Sequence, residues 1–327
     1  MTQTDILAIG DITTDAFIRL KDAEVHCDVD KENCELCVAF GQKIPFESVE
    51  VVKAVGNSAN AAVSATRLGL NSALLAYVGD DQNGKDDIEE LKKNNVDVQY
   101  VRTEAGKHTN YHYVLWYDVD RTILVKHDTF SYTMEGVSAP KWIYLSSLGE
   151  SSLDFHMEIA DFLDKNPETK LAFQPGTFQI KIGKEKLDKI YKHTDIFFCN
   201  VEEAQSILGE KSRDLPTLMK EMKNLGPETV VITDGINGAY AYDGVSSWFM
   251  PVYPHTPAER TGAGDAFAST VVSMIIKGKT LPEALTYAPI NSMSVTQQIG
   301  AQKGLLTLEK IEEYIAKAPE DYKPRNI

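Results

Sequence analysis

The chain has 327 residues, 43% of them hydrophobic, and a formal net charge of −15, which suits one large α/β domain with an appendage. It carries no sustained basic run, so it is not a nucleic-acid binder, and a bound nucleotide would need local groups to overcome the negative field. No stretch of about eighteen apolar residues occurs and residues 1–6 carry no leader pattern, so a cytoplasmic protein without membrane contact is expected.

In chain order, Asp5 to Gly10 reads as a buried strand ending at a glycine, with Asp11 and Asp15 just beyond it. In an open α/β sheet ligands bind outside the carboxyl ends of the strands, so Asp15 is either a ligand contact or a turn residue. From Phe17 to Val52 helical periodicity is missing and strand-like pieces recur at 35–40 and 49–52, an excursion that could cover a site. It holds His26, Cys27, Cys34 and Cys37, the ligand types for zinc at a spacing that matches no standard finger; with Cys199 they are expected to be reduced thiols. Val55-Gly-Asn-Ser-Ala-Asn60 opens a helix of small residues that ends at Gly69, placing Asn57, Ser58 and Asn60 where side chains reach a ligand or cap the turn. A strand at 72–78, the loop Gly79-Asp-Asp81 and a helix at 84–95 complete a βαβ-like unit. Residues 111–117 and 121–126 alternate around the polar stretch 118–120 as a hairpin does. Its aromatics Tyr111, Tyr113, Trp116 and Tyr117 could line a cavity, form a dimer surface or pack on their own core. His108, His112 and His127 lack carboxylates at metal-ligand spacing and read as surface or substrate-contacting residues.

From Trp142 the alternation is regular. Strands are expected at 142–146, 170–174, 196–199 and 229–233, and helices at 152–165, 182–192, 201–208 and 215–224, which makes a mostly parallel sheet. Gln174-Pro-Gly176 and Asn200-Val-Glu-Glu203 follow strands, on the side where chemistry is done. Asn200 and Glu203 could hold a hydrated Mg2+, or form a capping box. Thr233, Gly235 and Gly238 make a turn that suits close approach by phosphate or ribose, or a hairpin turn. Helices at 266–277, 281–297 and 307–318 close the chain, with Gly300-Ala-Gln302 between the last two and a frayed tail at 319–327.

Arg260-Thr-Gly-Ala-Gly-Asp-Ala-Phe267 joins a polar loop to an apolar helix. Free N–H groups and the helix dipole make such a start an anion site. Asp265 inside it is either a general base beside developing charge or a simple cap.

Taken together, Gly10/Asp11/Asp15, Gly56-x-x-x-Asn60, Gly79-Asp80-x-x-x-Gly84, Asn200-x-x-Glu203, Thr233-Asp-Gly-x-x-Gly238 and Thr261-Gly-Ala-Gly-Asp265 resemble the ribokinase-like sugar kinases, the PfkB carbohydrate kinase family, over nearly the whole chain. The resemblance implies a single domain, 1–327, of three-layer α/β/α ribokinase-like fold, with a mostly parallel central sheet and a β-rich lid built from about 12–53 and 97–134. It implies transfer of a phosphoryl group from ATP to a hydroxymethyl of a sugar or nucleoside, with Asp265 as base and Gly262, Ala263 and Gly264 offering N–H groups to the migrating charge. Asn200 and Glu203 would organise Mg2+, Thr233, Gly235 and Gly238 would approach the nucleotide, and Asp15, Gly56 and Asn60 would bind the acceptor. The lid of such kinases often forms a homodimer interface. The chain departs from the pattern at Val55, where a second glycine is usual, and at Glu259-Arg260, where Asp-Thr is usual. That aspartate helps relatives hold a monovalent cation, which leaves K+ open here and frees Arg260 to meet ATP phosphates. A ribose- or fructose-like sugar is the leading acceptor, a nucleoside stacked on the aromatic lid the alternative, and a non-catalytic ligand-binding relative a third reading.

Overall fold

A computed structural model describes residues 3–27, 34–117, 120–257 and 259–327. The first half runs β1 (Ile6–Ile9), β2 (Thr13–Leu20), β3 (Glu24–Cys27), β4 (Cys34–Cys37), β5 (Phe46–Val55), α1 (Asn57–Arg67), β6 (Ser72–Gly79), α2 (Gln82–Lys93), β7 (Val101–Glu104), β8 (Asn110–Tyr117) and β9 (Asp120–Leu124). There follow β10 (Trp142–Leu145), α3 (Leu153–Lys165), β11 (Lys170–Phe173), α4 (Thr177–Ile182), α5 (Asp188–His193), β12 (Thr194–Asn200), α6 (Val201–Leu208), α7 (Leu215–Asn224), β13 (Thr229–Thr233), β14 (Ala239–Tyr242) and β15 (Ser247–Met250). The chain finishes with α8 (Ala263–Ile276), α9 (Leu281–Thr296), α10 (Leu308–Ile315) and the short β16 (Arg325–Asn326).

The main sheet has the order β16-β15-β14-β13-β12-β11-β10-β1-β6-β7. Its strands are parallel from β7 to β13, and β14 to β16 add an antiparallel edge. Successive side chains in a strand point to opposite faces. In β1, Ile6 and Ala8 therefore enter the core packed on α1, α8 and α9, while Leu7 and Ile9 enter the one packed on α3, α5 and α7. Both faces are covered, which is why these strands read as continuous apolar runs. The three-layer ribokinase-like α/β architecture is present as expected.

Above the carboxyl ends stands a four-stranded sheet of order β5-β2-β8-β9, with β2 and β8 parallel. It takes less of the second excursion than 97–134: β7 joins the edge of the main sheet, and Phe130 and Met134 are buried in the main core. The expected helix 182–192 is only α5, from Asp188; the unforeseen α4 precedes it and is stopped by Gly183, which adopts φ 94°. The cysteines are not all reduced thiols. Cys27 and Cys34 face each other across the β3–β4 ribbon and are joined in a disulfide, leaving Cys37 and Cys199 free. Among the described residues no cluster could hold a metal ion as protein ligands alone. No helix of the described residues is long and apolar enough to cross a membrane. Most of the hairpin turn expected at 118–120 lies outside the described residues.

Candidate active site

A cavity of about 650 Å³ lies between the carboxyl ends of the main strands and the lid sheet. Asp265 is at its floor, in the first turn of α8. It does not cap its own helix: Gly262 takes the N-cap position with no side-chain bond. Instead its carboxylate accepts from three amides on other elements, Asn57 Nδ2 at 2.7 Å, Asn60 Nδ2 at 2.8 Å and Gln174 Nε2 at 3.2 Å. Burial pushes its pKa up and the three amides partly hold it down. A raised acid of this kind suits a general base better than an ordinary surface carboxylate.

Two of the three amides are themselves oriented. The buried Tyr144 hydroxyl donates to Gln174 Oε1, which turns the amide N–H toward Asp265. Gln302 Nε2 donates to Asn60 Oδ1 at 3.0 Å and to the Ala54 carbonyl at 2.7 Å, fixing Asn60 the same way. Gln174 stands where β11 ends, and Asn57 shares a helix start with Asn60. Chain order pointed to both places, but which atom each amide presents depends on Tyr144 and Gln302, which are remote in sequence.

Around Asp265 the chain turns tightly. Gly262 has φ 77°, and a Cβ there would lie 2.3 Å from Ala301 Cβ, so only glycine fits. Gly262 and Gly264 line the cavity. Ala263 does not, and its N–H points at the Arg260 carbonyl at 3.4 Å. The first turn of α8 otherwise presents orphan N–H groups to the cavity.

On the opposite side, Asn200 and Glu203 form a reciprocal capping box, Glu203 N–H to Asn200 Oδ1 at 2.8 Å and Asn200 N–H to Glu203 Oε2 at 2.9 Å. The cap reading of this pair is therefore present, yet both residues also line the cavity, and each keeps atoms that the cap does not use. Burial pushes the Glu203 acid up, and the charge of Asp265 adds to the effect. Thr233, paired in register with Asn200, lines the cavity too. Gly235 and Gly238 lie beyond it on the turn from β13 to β14, outside the cavity wall. Arg260 is exposed and does not line the cavity. Its neighbour Glu259 is buried, and its Oε1 accepts from the Thr261 N–H and hydroxyl and from Arg121 Nη1 at 2.8 Å.

The far end of the cavity is polar in a way that spacing did not reveal. Asp15 Oδ1 lies 3.2 Å from His112 Nδ1, an ion-pair distance without hydrogen-bond alignment. His112 Nε2 meets His127 Nε2 at 3.1 Å, and His127 Nδ1 lies 3.0 Å from Asp11 Oδ2. Tyr132 closes the chain with a 2.7 Å bond to Asp11 Oδ1. Which imidazole donates to the other depends on the tautomer. Gly56 (φ 113°) passes so close that a Cβ would sit 2.6 Å from the Asp11 carbonyl. The lid aromatics do not contribute. Tyr111 and Tyr113 line a separate depression on the other side of β8, and Trp116 packs under Arg19, so alternation sends His112 inward and the tyrosines out.

The pfkB family carbohydrate kinase model matches residues 27–308. Fructoselysine 6-kinase of Escherichia coli K12 is 29% identical over 256 residues, covering 75% of this chain and 90% of that protein. Arabidopsis thaliana ribokinase, solved with ribose and ATP, superposes with a TM-score of 0.79 at 18% identity, covering 96% of this chain and 98% of that one. An Escherichia coli relative solved with ATP and Mg2+ gives a TM-score of 0.73 at 19% identity, covering 96% and 99%. A buried carboxylate at the start of a helix, a carboxylate and an amide at a neighbouring strand end, and a match over most of the chain lead to one conclusion: this chain belongs to the pfkB family of carbohydrate kinases, phosphotransferases that act on a sugar hydroxyl.

Proposed function

We propose that this kinase transfers the γ-phosphoryl group of ATP to a hydroxymethyl of a small ribose- or fructose-like sugar. The observation that carries the reading is the buried Asp265 carboxylate, held by three amides in the first turn of α8. Its free lone pairs take the proton of the acceptor hydroxyl while Gly262 and Gly264 present N–H groups to the charge moving onto the phosphoryl oxygens. Asp15, Gly56 and Asn60 bind the acceptor; Asn60 also holds Asp265 and so couples acceptor binding to the base. Thr233, Gly235 and Gly238 approach the nucleotide, and Arg260, being exposed, can reach only its outer phosphates.

The oxygen donors of Glu203 and Asn200 fit a hydrated Mg2+, which when bound neutralises charge on the ATP phosphates. A monovalent cation fits less well, because the Arg121 guanidinium already occupies Glu259 and would repel a second positive charge. A polar acceptor end built from Asp15, His112 and His127, with the lid tyrosines facing away, supports a sugar over a nucleoside. The outer lid face exposes Val49, Val51, Tyr113 and Leu124, and the register puts Val51, Tyr113 and Leu124 in one cross-strand row, which a second copy would cover in a homodimer. Use of ATP supports a cytoplasmic location.

The test is ADP release from ATP and Mg2+ across a panel of ribose, fructose, fructose adducts of amines, sugar acids and nucleosides. Turnover confined to nucleosides overturns the sugar reading, and binding without turnover of any acceptor supports a non-catalytic relative.

A further inference from the structure

Helix α2 lies beneath the point where the chain enters and leaves the lid. Asp87, in its middle, is fully buried. Its Oδ1 accepts from Thr14 Oγ1 at 2.8 Å and from the Ala54 N–H at 2.8 Å. One atom thus ties the second residue of β2 to the penultimate residue of β5.

Both ties bear on the acceptor end of the cavity. Neighbours in a strand point to opposite faces, so holding Thr14 down on α2 holds Asp15 up in the cavity. Ala54 is one of two described non-glycine residues with positive φ, at 55°, a strained conformation that persists only when its surroundings enforce it. From there the chain runs through Val55 to Gly56, which has no room to move against the Asp11 carbonyl. The Ala54 carbonyl is held by Gln302, which also grips Asn60, and Asn60 grips Asp265.

Among the described residues no cation bonds to Asp87, although Lys53 is near enough to feel its charge. Lys53 of β5 pairs with Asp86 at 2.7 Å, and Asp87 Oδ2 is buried with no partner among the described residues. The charged groups around Asp87 are Asp86 on its own helix, Asp81 at the cap of that helix, Lys53 on β5 and Asp15 on the far face of β2; β6 contributes only Tyr77 as a titratable group. Burial, against the two bonds at Oδ1, pushes the Asp87 acid up to about 7, with Asp86 and Asp81 adding to the rise. A charged acceptor draws its donors more strongly than a neutral one.

We propose that Asp87 is a positioning residue for the acceptor: when ionised it pulls Thr14 and Ala54 onto α2 and so sets Asp15 and Gly56, and when protonated it loosens both. This rests on the acceptor reading of Asp15 and Gly56 given above.

The test measures acceptor KM, ATP KM and kcat between pH 6 and 8.5 for the wild type, Asp87→Asn and Thr14→Val, together with hydrogen exchange at the Ala54 amide corrected for intrinsic pH dependence. Wild-type acceptor KM is expected to fall about fivefold as pH rises through neutrality, with ATP KM unchanged. Asp87→Asn should stay flat near the wild-type value at pH 6, and Thr14→Val should lose part of the change. Ala54 protection should grow with pH in the wild type and not in Asp87→Asn. A wild-type pH profile retained by Asp87→Asn, or parallel changes in both KM values, overturns the proposal. So does Ala54 protection that ignores pH in the wild type, a measurement that stands even if Asp87→Asn fails to fold. Because exchange needs no turnover, an inactive wild type with pH-dependent Ala54 protection would refute the acceptor reading and leave the hinge role of Asp87 intact.

Discussion

On the proposed reading Asp265 is the base, and the three amides that hold it make separable contributions. Asp265→Asn should lower kcat by about 10³-fold with the fold intact; turnover within about tenfold of wild type would remove Asp265 as the base. Gln174→Leu deletes one amide that holds the Asp265 acid down while leaving burial in place, so the acid limb of the kcat profile should move to higher pH. The motif around Thr261 to Asp265 was readable because glycines and an acid at a helix start are a local pattern. The chain Asp15–His112–His127–Asp11 was not, since its members come from β1's exit, β2, β8 and the segment after β9, and meet only when β2 and β8 pair in parallel. Arg260 illustrates the opposite limit. Adjacent to the motif in sequence, it is directed to solvent, while Arg121, over a hundred residues earlier, reaches Glu259.

At the level of elements, the lid hairpin is fastened to the loop before α8 by Arg121, partly open to water, and the buried Glu259. Arg121→Ala leaves the Glu259 carboxylate buried without its cation, so the Thr261 turn should loosen. The expected outcome is a rise of about tenfold or more in acceptor KM and the appearance of K+ stimulation, because a vacated carboxylate can then recruit a monovalent ion. The wild type should turn over equally in K+ and in tetramethylammonium, measured at constant ionic strength; K+ stimulation of the wild type would overturn the reading of the guanidinium as the resident cation. Sequence periodicity located the central parallel strands β1, β6 and β10 to β13 and the long helices, because burial on both faces writes itself as apolar runs, but not β7 or the antiparallel edge β14 to β16. It missed β2, whose Thr-Thr-Asp start mixes a buried hinge contact with a cavity contact, and it missed α4 while starting α5 several residues early, because the turn at 183–187 lies between two short helices.

For the whole molecule, the buried Asp87 carries a thermodynamic cost. Its folded pKa lies above the ordinary value of 3.8, so the stability it allows is fully present below that pH and is lost as pH rises through about 7. The full span corresponds to about 4 kcal/mol as an order of magnitude. Asp87→Asn, which mimics the neutral acid, should therefore melt several degrees above wild type at pH 8.5 and level with it near pH 4, followed by calorimetry. A higher wild-type melting temperature at pH 8.5 would show that the ionised acid is compensated in a way its contacts do not reveal. Sedimentation of the wild type against a Val51→Lys, Leu124→Lys variant checks the proposed homodimer, with dissociation of the variant expected and an unchanged mass in both refuting it.

The parallel pairing of Thr13 with Asn110 also constrains the order in which the molecule can assemble. Strands so far apart along the chain cannot meet until β1, α1, β6, α2 and β7 have brought their ends together, since closing a long loop must come before its contacts repay the lost entropy. The lid is then the last part to form and the first to open. The three tryptophans sit so as to report this: Trp142 and Trp248 are in the main sheet and Trp116 is in β8. On refolding from denaturant, a variant retaining only Trp116 should regain its fluorescence after one retaining only Trp142, and during synthesis the polypeptide should lack a closed cavity until well past residue 124.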